Sequence, residues 1–484
     1  MRLPYTAVFS VAAVAAASSN SSNSTYINPV LPGWHSDPSC TYVADHMKLF
    51  CTVSTFSTFP SIPIYYSEDF LNWNLASNAL TRLSQAPLLS YTTFQSQNDG
   101  LCAPAIRYRN GTFYVITSYV SIQPTFTARG LLFKSTDPFD EDSWGDPLRF
   151  EVGHIDPGLY WDDDGTAYVS YAGLSQQTLD LETGLRVGQY RIWNGSGGRL
   201  PEGPHIYKKD GYSCLLAGEG YAGNPILTNK NITEYFQTVG HADFFQDVNG
   251  KWWGACLAIK SSPEWVNYPM GREFVLFPVT WSEGEWPILE PERGRMIGWS
   301  LLSPAANSTF TVFPEDHPSS LQIIPSQSNL TGSLEVPSEI AFFGRRQTHT
   351  QFNLTLDLHF RPEAAGEEAG ITLFLTQYQH IDLALIRSDT SKASTSGLPV
   401  RLSVQAVNET HYHLTAASVE NASHVLDFGF APATVLFGGT GSFTGTLLGM
   451  YAMINGGTGG MPAYFSWWRY TGEAQQIDNG GLIA

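Results

Sequence analysis

The sequence predicts an all-β protein, in which a five-bladed β-propeller is followed by a C-terminal β-sandwich. Strong helical periodicity is nearly absent, and short alternating runs are separated by Gly, Asp and Asn turns. One strand–turn–strand unit also recurs along the first half of the chain. Because 484 residues exceed the usual size of a single hydrophobic core, two domains are expected.

The repeated unit is a hairpin with an Asn-Gly or Asp-Gly turn. Four copies occupy residues 101–117, 154–171, 201–218 and 240–257, and a degenerate fifth copy, SDPSCTYVADHMKLFC, precedes them. Asn-Gly and Asp-Gly supply the positive φ that a two-residue hairpin needs. Five hairpins spaced by about 40 to 65 residues predict five propeller blades, whose innermost strands converge on one axis.

One position recurs in every hairpin, nine residues before the turn. It is occupied by Asp37, Cys102, Asp156, Glu202 and His241. A single Asp at the start of a strand is ordinary in a β protein. Three carboxyl groups and a His in one register are harder to explain structurally, because gathering like charges raises their pKa values and destabilises the fold. We therefore predict that these side chains surround one small site on the axis.

The domain limits follow from composition. Residues 1–17 contain one Arg, an apolar run and a small-residue site, which predicts a secretory signal peptide; a membrane anchor is the alternative, but the run is too short to span a bilayer. A Ser/Asn-rich sequon segment at 18–25 leads into the propeller at 26–303. A Pro/Ser/Asn-rich linker at 304–320 precedes alternating strands at 321–484, which predict the sandwich.

The chain is expected to be secreted, extracellular and glycosylated. Asn-x-Ser/Thr sequons begin at Asn20, Asn23, Asn110, Asn194, Asn231, Asn307, Asn329, Asn353, Asn408 and Asn421. Among the five cysteines, Cys40 and Cys51 could bridge neighbouring strands. Cys214 and Cys256 could pair only if the fold brings them together, and the odd number leaves at least one thiol free.

Charge and composition limit the partners. A net charge of −18 argues against nucleic acid and other anionic polymers. Thirteen Trp, 23 Tyr and 28 Phe suit a neutral, hydroxyl-rich substrate such as carbohydrate, although composition alone does not select it. No membrane partner is expected, because no other stretch is long and apolar enough to span a bilayer. We expect a monomer.

Three carboxyl groups around one axis match the needs of acetal hydrolysis. One carboxylic acid protonates the leaving oxygen and a carboxylate stands opposite it; in the inverting mechanism that carboxylate activates water, and the pair is about 6.5–9.5 Å apart. A third carboxylate can raise the pKa of the acid by like-charge repulsion and keep it protonated. The expected roles are a base, an acid and a group that tunes the acid.

The motifs HSDPSC, HIDPGLYWDDDG, PEGPHIY, VGHADFF and MGREF, in that order, resemble glycoside hydrolase family 43. The family comprises inverting enzymes of plant cell-wall breakdown, many of them β-xylosidases or α-L-arabinofuranosidases. The resemblance covers the propeller, and the sandwich is similar to the concanavalin A-like domain that follows it in many members. Each motif is weak by itself, whereas the ordered set is specific.

The resemblance implies a role for five residues. Asp37 matches the general base, Asp156 the pKa modulator and orienting residue, and Glu202 the general acid. His241 matches an axial His that often approaches a hydrated cation, so a structural calcium ion is left open, although the chemistry requires no cofactor. Arg272 matches an Arg near the acid that contacts sugar hydroxyls.

Three further positions leave alternatives open. Cys102 stands where family members often place an aromatic residue before Ala-Pro, so the shape of the sugar subsite is not defined. Trp34 is predicted to bind substrate by stacking on a sugar face, with packing as the alternative. His35 is predicted to contact the sugar, with a hydrogen-bonded structural His as the alternative.

The resemblance favours removal of α-L-arabinofuranosyl residues from arabinoxylan or related plant cell-wall polysaccharide. A β-xylosidase acting on xylo-oligosaccharides is the alternative, since both sugars are uncharged pentoses. A retaining fructan-cleaving hydrolase is disfavoured, because its Asn-Asp-Pro-Asn, Arg-Asp-Pro and Glu-Cys motifs are replaced here by HSDPSC, HIDP and PEGP. A sugar-binding propeller without catalysis is disfavoured because it would not need an acid, a base and a tuning group in register.

Overall fold

The structure is a computed structural model. It describes residues 28–70, 72–86, 98–122, 125–194, 201–218, 227, 229, 236–261, 267–289, 299–301, 310–312, 314–331, 340–388, 398–421, 423–436, 443–478 and 481–483. The predicted signal peptide at 1–17 and the sequon segment at 18–25 lie outside these residues. Within them the helices are single 3₁₀ turns, at Leu83–Gln85, Glu141–Ser143 and Ala433–Leu436. None of the described helices is long and apolar enough to cross a membrane.

The N-terminal region folds into five antiparallel sheets that follow one another along the chain, and each sheet keeps its strands in sequence order. Sheet by sheet, the strands are β1 (Ser39–Val43), β2 (Lys48–Thr52), β3 (Ser61–Ser67) and β4 (Asn74–Leu80); β5 (Gly100–Arg109), β6 (Thr112–Ser121), β7 (Thr127–Ser135) and β8 (Leu148–Phe150); β9 (Gly158–Trp161), β10 (Ala167–Tyr171), β11 (Ser175–Leu179) and β12 (Arg186–Arg191); β13 (His205–Lys209) and β14 (Tyr212–Leu216); and β15 (Phe236–Gln246), β16 (Trp252–Ser261), β17 (Asn267–Thr280) and β18 (Ile288–Leu289).

The predicted turns close the hairpins. Asn110 and Gly111 join β5 to β6 with φ of 51° and 78°, and Asp210 and Gly211 join β13 to β14 with φ of 54° and 78°. Two successive positive φ values are the signature of the two-residue turn that matches the twist of a hairpin. The repeated hairpins predicted from the sequence are therefore confirmed at these positions.

A left-handed residue lies in, or two residues before, the first strand of every sheet. These residues are Asp37 (φ 51°), Ala103 (49°), Asp156 (61°), Gly203 (60°) and His241 (48°). Ala103 and Gly203 each follow the residue that the sequence register selected, so the register is offset by one position in the second and fourth sheets. A left-handed non-glycine residue is uncommon and such strain clusters at active sites, which makes this repeated kink a structural marker of the site.

The first strands of four sheets meet at Asp243 on β15, whose side chain is fully buried. Its carboxylate accepts hydrogen bonds from Ser39 Oγ (2.5 Å), from Arg107 Nη1 and Nη2 (2.8 and 3.1 Å) and from Tyr207 OH (2.6 Å). Burial by itself would raise the pKa of Asp243, but Arg107 and these hydrogen bonds hold it well below its usual value. One buried carboxylate thus ties β1, β5, β13 and β15 together.

The second domain contains two packed antiparallel sheets. The five-stranded sheet has the order β19-β22-β29-β24-β25, the larger one has the order β20-β21-β30-β23-β26-β27-β28, and β31 pairs with β30. Their bounds are β19 (Trp299–Leu301), β20 (Phe310–Val312), β21 (Leu321–Ile323), β22 (Phe342–Arg346), β23 (Gln351–His359), β24 (Glu368–Thr376), β25 (Gln379–Ile386), β26 (Val400–Ala406), β27 (His411–Ser418), β28 (Val425–Pro432), β29 (Leu447–Met453), β30 (Ala463–Asp478) and β31 (Gly481–Ile483).

The strand pairing corrects the predicted limits between the domains. β19 pairs with β22, although the sequence analysis placed its residues in the propeller, and β20 pairs with β21, although its residues were placed in a linker. Both strands have three residues and lie in a Pro- and Ser-rich stretch, whose composition does not report hydrogen bonds to distant strands. The second domain therefore begins no later than Trp299.

The two domains share a buried cluster. Trp34 and Phe56 of the first domain pack with Phe342 and Tyr451 of the five-stranded sheet. The backbone N–H of Thr446 donates to the carbonyl of Pro269 at 2.7 Å. The second domain is thus packed against the side of the first domain that carries Trp34 and the chain leading to Asp37.

One disulfide links Cys40 on β1 to Cys51 on β2, which are directly opposite residues in the register. In the part of the chain that the structure describes, Cys102, Cys214 and Cys256 are free thiols. The bridge across neighbouring strands is one of the pairings that the sequence allowed, and Cys214 and Cys256 do not pair.

Candidate active site

A pocket of about 450 Å³ opens at the point where the first strands converge. Asp37, Glu202, His241 and Arg272 all line it. Asp156 lies immediately behind, where its Oδ2 accepts a hydrogen bond from the backbone N–H of Gly203 at 2.9 Å. The structure therefore brings together all three predicted carboxyl groups, the predicted axial His and the predicted Arg, from four different sheets.

Asp37 is held in one orientation by two hydrogen bonds. Its Oδ2 accepts from Ser54 Oγ at 2.6 Å, and its Oδ1 accepts from Arg272 Nη1 at 3.0 Å. The residue is 4% exposed and left-handed, and Pro38 follows it, which restricts the backbone on its C-terminal side. A hydroxyl and a guanidinium therefore fix the orientation of this carboxylate, which a general base needs for alignment with its water molecule.

His241 lies between two of the carboxylates. Its Nδ1 is 4.0 Å from Asp37 Oδ1 and 3.9 Å from Asp156 Oδ2. A Cβ atom on Gly203 would approach this nitrogen to 3.0 Å, so a glycine is needed where the fourth sheet passes the imidazole. The imidazole therefore connects the predicted base to the predicted modulator.

The pKa values of the other two carboxyl groups are raised. For Asp156 the main cause is burial, to which the charge of Asp37 adds, while His241 and the Gly203 amide act in the opposite direction. Glu202 faces the open pocket, yet protein atoms around it desolvate the carboxyl group, which is the main cause of its raised pKa, and the charge of Asp156 adds to it. A carboxyl group with a raised pKa is suited to act as a general acid.

Arg272 on β17 lines the pocket together with Glu202, the predicted acid. Its guanidinium pairs with Asp37, the predicted base, and lies 4.0 Å from the ring centroid of Phe443. Its charge also lowers the pKa of Glu202, against the larger effects of burial and Asp156, which raise it. Because it lines the pocket, Arg272 keeps access to a bound sugar.

Trp34 does not present a face to the pocket, which corrects the predicted stacking on a sugar. The indole is 1% exposed, its ring packs on Phe56, and the guanidinium of Arg346 lies 5.0 Å from its centre. Its Nε1 donates to Ser36 Oγ at 3.0 Å. The second domain covers Trp34, and the sequence offered no sign of that contact because Arg346 is 312 positions away.

His35 is also an internal residue, which corrects its predicted contact with substrate. It is 6% exposed, its Nδ1 bonds the Gly33 carbonyl at 3.1 Å, and its Nε2 lies 3.2 Å from Tyr65 OH. Burial lowers its pKa well below the usual value, with Arg346 adding to the effect, so the imidazole is neutral. His35 is therefore a hydrogen-bonded structural histidine, which was the alternative to a sugar contact.

Cys102 is buried beside the three carboxyl groups. Burial raises the pKa of its thiol far above the usual value, and Asp156, Asp37 and Glu202 add to that shift. A neutral thiol of this size leaves more space than the aromatic residue that the resemblance associates with this position. Cys102 is therefore an uncharged, buried neighbour of the three carboxyl groups.

Sequence reasoning missed Ser54 and Phe443. Ser54 bonds both Asp37 Oδ2 and, at 2.7 Å, the backbone N–H of Ala103, so it connects the base to the left-handed kink of the second sheet. Phe443 belongs to the second domain; its ring packs on Arg272 and its carbonyl accepts from Ser36 Oγ at 2.5 Å. No repeat or motif contains either residue, so the sequence carried no signal for them.

The fold and the site define a class of protein. A carboxylate held by a hydroxyl and a guanidinium, a solvent-facing carboxyl group with a raised pKa and a buried carboxyl group beside them form the set that acetal hydrolysis requires. They lie just before the first strands of the first, third and fourth sheets, at or directly behind one pocket. This arrangement is that of a glycoside hydrolase.

Comparison with known families and proteins gives the particular family. The model of the glycosyl hydrolases family 43 matches residues 26–224 and 217–287, and the β-xylosidase C-terminal concanavalin A-like domain matches 298–396 and 390–471. The chain belongs to family 43 of the glycosyl hydrolases and is a glycosidase. The second match starts at residue 298, which agrees with the domain limit set by β19.

Relatives cover nearly the whole chain. A non-reducing end α-L-arabinofuranosidase of Bacteroides ovatus is 29% identical over 522 residues, covering 92% of this chain and 94% of that protein. A xylosidase/arabinosidase of Butyrivibrio fibrisolvens is 32% identical over 434 residues, covering 74% and 80%. The solved xylan β-1,4-xylosidase of Bacillus halodurans is 24% identical, with a TM-score of 0.82 over 92% of this chain and 100% of that one. This last likeness supports the fold.

Replacing Asp156 with Asn is expected to move the alkaline limb of the pH profile of kcat/KM to lower pH. The limb reports loss of the acid proton from Glu202, and the negative charge of Asp156 raises that pKa. The measurement is kcat/KM against pH for the wild type and D156N, with Asp164→Asn at an exposed hairpin tip as the control. A limb that stays in place in D156N contradicts the tuning role.

Proposed function

We propose that this chain is a secreted, inverting hydrolase that removes α-L-arabinofuranosyl residues from arabinoxylan or a related plant cell-wall polysaccharide. The observation that carries the proposal is the site itself, in which Asp37, Asp156 and Glu202 meet around one pocket. The naming of the Bacteroides ovatus relative as a non-reducing end α-L-arabinofuranosidase supports the choice of sugar.

The proposed reaction is a single displacement. Glu202 donates its proton to the glycosidic oxygen while the bond from that oxygen to the anomeric carbon breaks. Asp37 takes a proton from a water molecule, whose oxygen attacks the anomeric carbon from the opposite face. Arg272 and Ser54 hold Asp37 in place, and Asp156 keeps the pKa of Glu202 high enough for the acid to stay protonated before reaction.

A β-xylosidase is the second candidate. It is favoured by the naming of the Butyrivibrio fibrisolvens relative as a xylosidase/arabinosidase and of a Bacillus subtilis relative, 26% identical over 405 residues, as a β-xylosidase. Both pentoses are uncharged and of similar size, so the same three carboxyl groups can serve either one. The choice then depends on the shape of the rest of the pocket wall.

The proposal includes a five-bladed propeller, secretion and a monomer. Support for the propeller comes from the five successive sheets and from the left-handed residue in or just before the first strand of each. The disulfide between Cys40 and Cys51 supports secretion, since such bonds persist in oxidising compartments. These features also fit an extracellular enzyme that acts on a polymer, with no nucleic acid or membrane partner.

The proposal needs no cofactor for the chemistry. Glu202 and Asp37 supply both proton transfers of the single displacement. A hydrated structural cation such as calcium would be held near His241 through water, because Asp37 and Asp156 supply negative charge within 4.0 Å of its Nδ1. Its contribution there would be charge compensation.

The test compares the release of arabinose with the release of xylose from arabinoxylan, and the hydrolysis of an aryl α-L-arabinofuranoside with that of an aryl β-D-xyloside. Arabinose released preferentially by the wild type, and lost in Glu202→Gln, is the expected result. Preferential release of xylose would replace the first candidate with the second. Release of neither sugar by folded wild-type protein would contradict both.

A further inference from the structure

A buried ion pair includes Glu273, the residue after Arg272, whose guanidinium bonds the predicted base Asp37. Lys260 on β16 and Glu273 on β17 place Nζ and Oε2 3.0 Å apart, and their side chains are 1% and 0% exposed. Removing two charges from water is costly, and apolar residues of similar volume often stabilise a protein equally well or better. Stability alone therefore does not explain why a charged pair is present at this place.

The other carboxylate oxygen of Glu273 points to the backbone of the N-terminal segment. Glu273 Oε1 accepts a hydrogen bond from the N–H of Gly33 at 2.8 Å. Burial raises the pKa of Glu273, and Lys260 and the Gly33 N–H act in the opposite direction. Each carboxylate oxygen of Glu273 thus faces one partner, Lys260 Nζ at Oε2 and the Gly33 amide at Oε1.

The segment from Leu31 to His35 runs beside β17 and is held there along its length. Leu31 and Phe274 exchange two backbone hydrogen bonds of 3.4 Å, and the N–H of His35 donates to the carbonyl of Arg272 at 2.7 Å. Glu273 binds the middle of the segment, at Gly33. The segment thus has contacts to three successive residues of one strand.

The second domain lies so close to Gly33 that the segment cannot shift away from β17. It is left-handed, with φ of +79°, and a Cβ atom there would lie 2.2 Å from the carbonyl oxygen of Gln347 in the second domain. The segment is therefore enclosed between β17 on one side and the second domain on the other. If the Glu273 hydrogen bond is lost, the segment can still move on the side that faces β17, because the second domain blocks only the other side.

This segment leads to Asp37, four residues after Gly33. β17 consequently holds Asp37 in two ways: Arg272 bonds its carboxylate, and Glu273 fixes the backbone that precedes it. We propose that Lys260 and Glu273 are positioning residues for the base Asp37, acting through the Gly33 amide. The inference rests on the proposed function, and neither residue lines the pocket or can touch a substrate.

The test compares two double variants that remove the same charges. Lys260→Met/Glu273→Gln keeps an oxygen acceptor for the Gly33 N–H, whereas Lys260→Met/Glu273→Leu removes it. We expect the Gln variant to stay within about 3-fold of the wild-type kcat. We expect the Leu variant to lose about 10- to 100-fold in kcat with little change in KM, because small displacements of a catalytic group cost up to about 10²-fold.

The leaving group separates positioning of the base from a general loss of stability. In the Leu variant kcat should fall by about the same factor on a natural glycoside and on an activated phenyl glycoside, because activation of water by Asp37 does not depend on the leaving group. Lys260→Met/Glu273→Met serves as a second acceptor-free variant if the Leu form does not fold. The partly buried ion pair of Asp357 and Arg401 in the second domain, changed to Leu and Met, is the control that should leave kcat unchanged on both substrates.

Equal kcat values in the folded Gln and acceptor-free variants would overturn the positioning role. An Asp357→Leu/Arg401→Met control that lowers kcat equally would also overturn it. A wild-type protein that releases no pentose would instead contradict the proposed function. The two failures are therefore distinguishable.

Discussion

Replacing Glu202 with Gln is expected to lower kcat by about 10²- to 10⁴-fold, the usual contribution of a general acid. The amide keeps the size and the hydrogen-bonding capacity of the side chain but has no proton to donate to the leaving oxygen. The carboxyl group faces the pocket, and burial together with the charge of Asp156 raises its pKa. Sugar binding, measured by calorimetry with a pentose or an oligosaccharide product, should change little.

The leaving group makes this test specific. A substrate whose leaving group is a weakly basic phenol needs little protonation, so Glu202→Gln should lose much less activity on it than on a natural glycoside. Glu182→Gln, at an exposed surface ion pair, is the matched control and should behave as the wild type. An equal loss on both substrates, or an unchanged kcat, would remove Glu202 from the role of acid.

Replacing Asp37 with Asn should lower kcat by about 10²- to 10⁴-fold whatever the leaving group, because the water molecule then lacks a base. The side chain is 4% exposed and bonded to Ser54 and Arg272, so the amide can occupy the same site. The measurement is kcat on the natural glycoside and on the activated phenyl glycoside, side by side. Thermal unfolding checks that the variant is folded.

The pattern across the two substrates distinguishes the two carboxyl groups. Loss on both substrates in Asp37→Asn, against loss mainly on the natural glycoside in Glu202→Gln, is the expected contrast. If Asp37→Asn loses activity only with the natural glycoside, Asp37 is the acid and the roles are reversed. If it retains full activity on both, Asp37 is not part of the mechanism.

Much of the site could be predicted because it belongs to a repeat. Asp37, Asp156 and Glu202 share one place relative to the hairpin turn, and equivalent strands of a repeated unit bring such places together. The register was offset by one residue in two sheets, since the left-handed residues there are Ala103 and Gly203. Turn spacing does not fix backbone conformation at the far end of a strand, so the sequence could not show that offset.

The rest of the site depends on contacts between distant parts of the chain. Ser36 and Phe443 are 407 positions apart, and Arg346 reaches Trp34 from the second domain. Trp34 and His35 looked accessible because they precede Asp37, yet the second domain buries both. Local sequence patterns predict strands and turns, whereas the packing of one domain on another produces no periodic pattern in the sequence of either domain. The short strands β19 and β20 were misplaced for the same reason.

The measurement that tests the central claim most directly is the anomeric configuration of the first sugar released. NMR spectra recorded within the first turnovers, before mutarotation, distinguish the two anomers. A single displacement with Asp37 as base and Glu202 as acid predicts a sugar whose configuration is opposite to that of the bond cleaved. A first product with the original configuration would mean a covalent glycosyl-enzyme intermediate and would contradict these roles.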